Sequence, residues 1–470
     1  MNQNIADQIR QAESEYRCSK EYREDPYRPA YHLIPPVGWL NDPNGLCEFQ
    51  DEYHVFFQYS PLDAEGGMKA WGHYVSRDFA HWKYLDAPIL PDIPEDRDGA
   101  YSGSAWVANG KMHIFYTGNV KEEGDYDYIL KGRQANTIHL ESEDGIHFSE
   151  KEIVMTNADY PSYYTCHVRD PKVWKQDGRY YMVQGGRRLG DVGAVIVFES
   201  VDMKEWKVVN QILPSEPFGY MWECPDYFEV NGVKLLSFSP QGLESEEYRY
   251  QNTYQSGYTI LTGDIRSQCM QQEFHEWDMG FDFYAPQTFE TKDGRRILIG
   301  WAGVPDSPYT NPTVTYGWQH CLTMPREITV CDGKIQCNPV RELEALRDHL
   351  VTDEEVKNLK GQYELLMTDI QSDRIRVQLA EGVMLSYDDE VLTLEMNEQA
   401  GAGRHVRKMK LEELQELRIF VDVSICEIYV NHGEAVMTSR FYSKSEGPVI
   451  LEGEQVPYKL WEINGQFLAL

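Results

Sequence analysis

Residues 177–186 read DGRYYMVQGG, a polar Asp-Gly turn followed by a run of apolar and aromatic residues. The same unit returns at four other places. Asp51-Glu52 precedes YHVFFQY, Asn109-Gly110 precedes KMHIFYTG, Asn231-Gly232 precedes VKLLSFSP, and Asp293-Gly294 precedes RRILIGWAG. Successive turns are 58, 68, 54 and 62 residues apart, enough for one four-stranded sheet per period. Counting back seven to nine residues from each turn gives Asp42, Ser102, Asp170, Glu223 and Tyr284. In a ring of sheets equivalent points converge on one axis, so three acids from distant sequence are predicted to share a pocket.

A second unit is phased with the first. Ser76-x-Asp78-x3-Trp82, Ser142-x-Asp144-x3-Phe148 and Ser200-x-Asp202-x3-Trp206 each predict a turn in which Ser and Asp bond local backbone, followed by an aromatic wedge between sheets. Short strand-like runs between Gly, Pro, Asp and Asn clusters continue from about 30 to 338. No long helical periods alternate with them, which argues against a parallel α/β fold. The expectation is an all-β chain: an N-terminal arm and five-bladed β-propeller over 1–338, a linker over 339–351, and a C-terminal β-sandwich over 352–470. Residues 1–25 read as a short helix or arm, and Arg341–Leu346 as a charged helical connector. Within the sandwich, Asp422 and Glu427 are expected at strand edges.

A chain of 470 residues exceeds one core and suggests two domains. Its net charge of −32 repels phosphate backbones and anionic membranes, so neither nucleic acid nor membrane is an expected partner. The polar N-terminus lacks the apolar run of a secretory signal, which points to the cytoplasm. The nine cysteines agree: they are scattered, odd in number and form no CxxC pair, and are expected to be reduced and mostly buried. No HExxH, EF-hand or glycine-rich phosphate loop occurs, so no cofactor and no metal are expected. Oligomeric state is open.

Each acid has a distinctive setting. Asp42 precedes Pro43-Asn44-Gly45, a strong turn signal. Asp170 follows Arg169, which can hold a carboxylate ionised and aimed. Glu223 lies between Trp222 and Cys224, an apolar setting suited to a general acid. Asp226 is its rival, out of phase with the other acids. Two carboxyl groups facing one pocket in different protonation states meet the requirement for glycoside hydrolysis. With 31 Tyr and 11 Trp, the chain is also rich in the aromatic faces that stack on sugar rings.

WLNDPNG at 39–45, RDP at 169–171 and EC at 223–224 are accompanied, in order, by FQY at 57–59, WGH at 71–73, YSGS at 101–104, DFYAPQ at 282–287, IGW at 299–301 and CLTMPRE at 321–327. On these motifs the chain, from about His32 onward, resembles glycoside hydrolase family 32, the β-fructofuranosidases. The resemblance implies a propeller followed by a sandwich, and a retaining reaction through a fructosyl-enzyme ester. It implies Asp42 as nucleophile, Glu223 as acid and base, and Asp170 as stabiliser of the transition state. Trp39, Leu40, Asn41, Gln58, Trp71, Tyr101, Ser102, Arg169, Tyr284 and Trp301 are the implied substrate-binding residues. The expected partner is a small sugar: sucrose or sucrose 6-phosphate. The alternatives are exo-hydrolysis of fructo-oligosaccharides or fructans and a non-catalytic sugar-binding propeller. Where many family members carry a rim tryptophan, this chain reads Ala64-Glu65-Gly66-Gly67-Met68. Arg97, Arg133, Arg187 and Arg188 are basic residues with possible reach to the rim.

Overall fold

The computed structural model describes residues 3–352, 354–356, 359, 361–443, 450–453, 456–464 and 468–469. Two helices, Gln3–Arg17 and Lys20–Glu24, form the arm, the second capped by the Ser19 hydroxyl. Five antiparallel sheets follow, with inner strands Gly38–Phe49, Ala100–Ala108, Tyr164–Gln176, Met221–Val230 and Tyr284–Glu290; we number the blades in that order. The ring closes beside the first inner strand, where Trp318–Gln319, beyond blade 5's second strand, pairs in parallel with Gly38-Trp39.

The hairpins explain the repeat. At Asn109-Gly110, Asp177-Gly178 and Asn231-Gly232 both turn residues have positive φ, the backbone of a tight hairpin that follows the strands' twist. In blade 1 the turn is one residue earlier than the sequence suggests: Gln50 and Asp51 carry the positive φ, and Phe49 pairs with Glu52. In blade 5, Glu290 pairs with Arg296, so the loop is longer. The Ser-x-Asp units are turns as expected. The Asp78, Asp144 and Asp202 carboxylates each accept two backbone N–H bonds, at 2.7–3.1 Å. Phe148 then packs on Phe56 of blade 1, and Trp206 on Phe115 of blade 2, wedging neighbouring blades apart.

Beyond Pro339 a short 3-10 helix, Arg341–Leu346, leads to two facing sheets. Their apolar faces meet in a core that includes Leu365, Val377, Leu385, Leu394, Ile419 and Ile428. Asp422 and Glu427 are not at exposed strand edges. Both are fully buried against the propeller. His32 bridges them, Nδ1 at 2.9 Å from Asp422 and Nε2 at 3.1 Å from Glu427. Arg326 binds Glu427 at 2.7 Å and Asp278 at 3.0 Å, while Arg404 of the sandwich holds Asp282 at 2.7 Å. Strand alternation put these acids on the sheet face that the propeller covers.

Candidate active site

Every inner strand carries a β-bulge at the same height. Two residues face one on the neighbouring strand: Asn41-Asp42, Tyr101-Ser102, Asp170-Pro171, Cys224-Pro225 and Ala285-Pro286. A bulge re-aims side chains at the end of a strand, which is how five blades can deliver polar groups to one axis. Asp170, Cys224 and Ala285 occupy positive φ there. The three acids fall on three successive positions of this repeat, not on one as the sequence count suggested. Asp42 is the second bulge residue, Asp170 the first, and Glu223 the residue before the bulge. Chemistry therefore comes from different rows of the same pattern.

The row before the bulge reads Leu40, Ala100, Arg169, Glu223 and Tyr284 across the blades. Its last three members join. Arg169 Nε and Nη2 donate to Glu223 Oε1 at 3.0 and 2.5 Å, and the Tyr284 hydroxyl donates to Oε2 at 2.6 Å. Gln241 Nε2 adds a donor at 2.8 Å. Arg169 was expected to hold Asp170, yet its hydrogen bonds go to Glu223 and His167. Nor is Glu223 in an apolar setting. Trp222 points to the opposite strand face and stacks on Phe238 at 4.1 Å, as period-two alternation requires.

Asp42 is held by its own blade and the next. The Ser102 hydroxyl donates to Oδ2, and Asn41 Nδ2 donates to Oδ1 at 3.0 Å. Gln58 connects Asn41 and Ser102, and the Trp39 indole N–H donates to Asn41 at 2.8 Å. Asp170 Oδ2 accepts the Cys224 backbone N–H at 2.9 Å. The Cys224 thiol lies 3.7 Å from both Asp42 Oδ2 and Asp170 Oδ2, which places the two carboxylates around one sulfur. Burial and the surrounding carboxylates push this thiol far up, so it remains a neutral S–H donor.

Burial also pushes the Asp42 carboxyl above its usual range, against the Ser102 and Asn41 hydrogen bonds and with a further push from Glu223. Asp170 is pushed to about 7 by burial, with Glu223 and Asp42 raising it and Arg169 and the Cys224 N–H opposing. This pocket concentrates negative charge out of water.

Of the predicted residues, Asn41, Asp42, Gln58, Ser102 and Asp170 are joined by hydrogen bonds and the Cys224 thiol, with Trp39 bonded to their edge. Arg169, Glu223 and Tyr284 form a second bonded group, whose Glu223 charge reaches Asp42 and Asp170. Trp301 packs near Trp39 and Tyr284, and its buried indole N–H has no partner among the described residues. Tyr101 is half-buried at the first bulge position. Leu40 and Trp71 are corrections. Both side chains are fully buried in core clusters, and the Trp71 indole N–H is used on the Tyr101 carbonyl at 3.1 Å. Asp226 is no rival to Glu223: it is fully buried, ion-paired to Lys172 at 3.1 Å and bonded to Thr288. Sequence reasoning missed Gln241 and Lys69. Gln241 ends blade 4's second strand, two residues past Ser239, which faces Glu223, so period-two alternation pointed to it. Lys69 Nζ lies 4.9 Å over the Trp39 ring, and a Cβ on Gly66 would be 3.8 Å from it. A cation thus stands next to the stretch that lacks the rim tryptophan.

A propeller whose bulges gather carboxylates around a polar pocket defines a glycoside hydrolase framework. The description "Glycosyl hydrolases family 32 N-terminal domain" matches residues 32–339, and "Glycosyl hydrolases family 32 C terminal" matches 374–455. The chain belongs to glycosyl hydrolase family 32. It is 37% identical over 440 residues to a sucrose-6-phosphate hydrolase of Bacillus subtilis, covering 89% of each chain. It is 36% identical over 447 residues to a raffinose invertase of Escherichia coli, covering 90% of this chain and 91% of that one. The structure of a sucrose-6-phosphate hydrolase from Lactobacillus gasseri superposes with a TM-score of 0.87 at 31% identity, covering 97% of this chain and 96% of that one.

Proposed function

We propose that this chain hydrolyses the terminal β-fructofuranosyl bond of sucrose or sucrose 6-phosphate with retention of configuration. The observation that carries this is the differing support of the pocket's acids. Asp42 is fixed by Ser102 on Oδ2 and Asn41 on Oδ1, and Glu223 is aimed by Arg169, Tyr284 and Gln241. The relatives named for sucrose 6-phosphate and raffinose support the substrate class.

In the first step Asp42 Oδ forms a bond to fructose C2 as the C2–O bond to the leaving sugar breaks. Glu223, carrying the proton in the substrate complex, delivers it to that oxygen. In the second step Glu223 takes a proton from water, the water oxygen bonds to C2, and Asp42 departs as carboxylate. Positive charge develops on the fructose ring in the transition state of each step, and the buried Asp170 carboxylate stabilises it. Arg169 and Gln58 keep N–H groups beyond those given to Glu223, His167 and Ser102, and are donors available to sugar hydroxyls. The nine thiols are all free, which supports work in a reducing compartment, the cytoplasm.

Asp42→Asn and Glu223→Gln are each expected to lower kcat on sucrose or sucrose 6-phosphate by at least ~10³-fold. NMR of the first product should show the β-anomer of fructose. Activity within tenfold of wild type removes that residue from its role, and an α-anomer first removes the covalent step.

A further inference from the structure

We propose that Arg133 is the residue that recognises an anionic group, a phosphate monoester, on the leaving sugar. The proposal rests on the hydrolytic reading above and narrows it toward the phosphorylated disaccharide.

The argument begins with charge. A protein of net charge −32 whose pocket holds three carboxylates repels an anionic sugar unless local cations reverse the field. Four arginines had reach to the rim on sequence grounds, and the structure separates them. Arg97 is exposed and paired with Asp98 at 3.5 Å and Glu122 at 3.6 Å. Arg187 is bound to Asp191 at 2.6 Å and lies over the Tyr220 ring. Arg188 lies over Tyr163 at 4.8 Å. Arg133 differs. It opens the third strand of blade 2, half-buried, and among the described residues no carboxylate comes within ion-pair distance of it. Its Nε is buried with no partner among the described residues; the same holds for Arg188, but Arg188 is stacked on Tyr163 and Tyr164, and no such ring contact holds Arg133.

Position ties it to the reaction. Arg133 lies four residues along its strand from Thr137, which pairs with Thr117, the residue opposite the Tyr101-Ser102 bulge. The Thr117 hydroxyl accepts the Asp170 N–H, and the charges of Arg169 and Glu223 reach Arg133 there. Glu223 is the proposed donor to the departing oxygen, so the leaving sugar lies on the Glu223 side of the pocket. Here the positive charge is dense. Arg169 Nη1 donates to His167 Nδ1 at 2.8 Å, and His167 Nε2 faces the Tyr128 carbonyl at 3.0 Å. Burial, Arg169, Arg133 and Arg187 together push His167 down to about 3, so the imidazole stays neutral and adds no repulsion. Arg169 is occupied by Glu223 and His167, and Arg188 is stacked on two tyrosine rings, which leaves Arg133 as the guanidinium held, among the described residues, by neither an ion pair nor a ring. A phosphate monoester carries about −1.5 to −2 charges at neutral pH and matches the planar guanidinium fork with two parallel bonds. Its arrival would give the half-buried guanidinium the anionic partner it lacks, and a neutral sugar hydroxyl does so less well.

The test uses the full chain, with kcat/KM measured separately for sucrose and sucrose 6-phosphate in wild type, Arg133→Gln, Arg133→Lys and Arg97→Gln. Arg133→Gln should lower kcat/KM for sucrose 6-phosphate by at least ~10-fold, the scale of a lost charge-assisted bond, and leave sucrose within about threefold. Arg133→Lys should fall between, because it keeps charge and loses the fork. Arg97→Gln should leave both substrates unchanged. Retained sucrose turnover shows that the variant is folded. An equal loss on both sugars, or an unchanged ratio, overturns the assignment of Arg133 and leaves the hydrolytic reading standing. A wild-type protein that cleaves neither sugar overturns both.

Discussion

Asp42 and Glu427 are both buried carboxylates, and their surroundings drive them in opposite directions. At the domain interface, Asp278, Asp282, Asp422 and Glu427 meet Arg326, Arg404 and His32 at 2.7–3.1 Å. Burial alone would raise Glu427, but Arg326, His32 and Tyr429 outweigh it and hold it at about 2. Burial prevails at Asp278, yet its oxygens are filled by Arg326, Thr438 and the Gly280 N–H. In the pocket, three carboxylates share the single ion-paired Arg169, and burial wins at Asp42 and Asp170. One cluster is largely neutralised by the protein itself, three cations meeting four acids. The other holds a surplus of negative charge that a cationic transition state can answer. The same residue types serve cohesion in one place and chemistry in the other, and the count of cations decides which.

The interface half of that contrast breaks most visibly. Glu427→Gln leaves Arg326 and His32 facing one acid fewer inside the core, and is expected to cost about 3–5 kcal/mol in denaturant titrations. Because folding depresses the pKa of Glu427, the stabilisation it gives is present above the unfolded value of about 4.3 and fades as pH falls toward about 2. The gap between wild type and variant should therefore be widest near neutrality. Fructose release per folded molecule should stay near wild type. A loss of turnover with unchanged stability would mean that the interface acid works on the pocket.

Asp170→Asn tests the other half with the opposite sign. Folding raises this carboxyl to about 7, so its ionised form is a burden on the folded state above that pH and costs nothing below about 3.9, where both states are protonated. An amide cannot ionise. The variant should be inactive and more stable than wild type by about 1–3 kcal/mol at pH 8, with the difference vanishing near pH 4. If it is less stable at pH 8, the pocket acid is as well compensated as Glu427 and the contrast fails.

The fold was largely legible because its signals are local. Hairpin turns need positive φ, and Asn-Gly or Asp-Gly supplies it in three of the blades. The acids were legible as a set because they lie near those turns in a repeat. Their partners were not. Arg169 bonds Glu223 from the next blade, 54 residues away, and sequence adjacency favoured Asp170. Counting from turns also blurred the bulge, and Leu40 and Trp71, which the resemblance implied as substrate-binding, lie fully buried in core clusters. Asp422 and Glu427 could not be read at all, since only the docked propeller shows why a sandwich strand carries buried acids.

The hairpin DGRYYMVQGG contains the finest version of the same comparison, one end serving the fold and the other the site. A Cβ on Gly185 would lie 2.1 Å from the Trp222 carbonyl and 3.3 Å from the Glu223 Cα, so alanine there must push the strand that carries Glu223. Gly185→Ala should cost about 1–3 kcal/mol and lower kcat by displacing the proton donor. Gly178, at the turn, has φ +80° and open space around its Cβ position. Alanine there meets no atom, so its cost is backbone strain alone, about 1 kcal/mol. It lies at the end of the blade away from the bulge, so kcat and KM should both be unchanged while Tm falls by a few degrees. Thermal melts beside kinetics on the two variants decide the matter. A change in kcat for Gly178→Ala would show that strain at the turn travels the length of the blade to Asp170, and the division between the two ends of the hairpin would be lost.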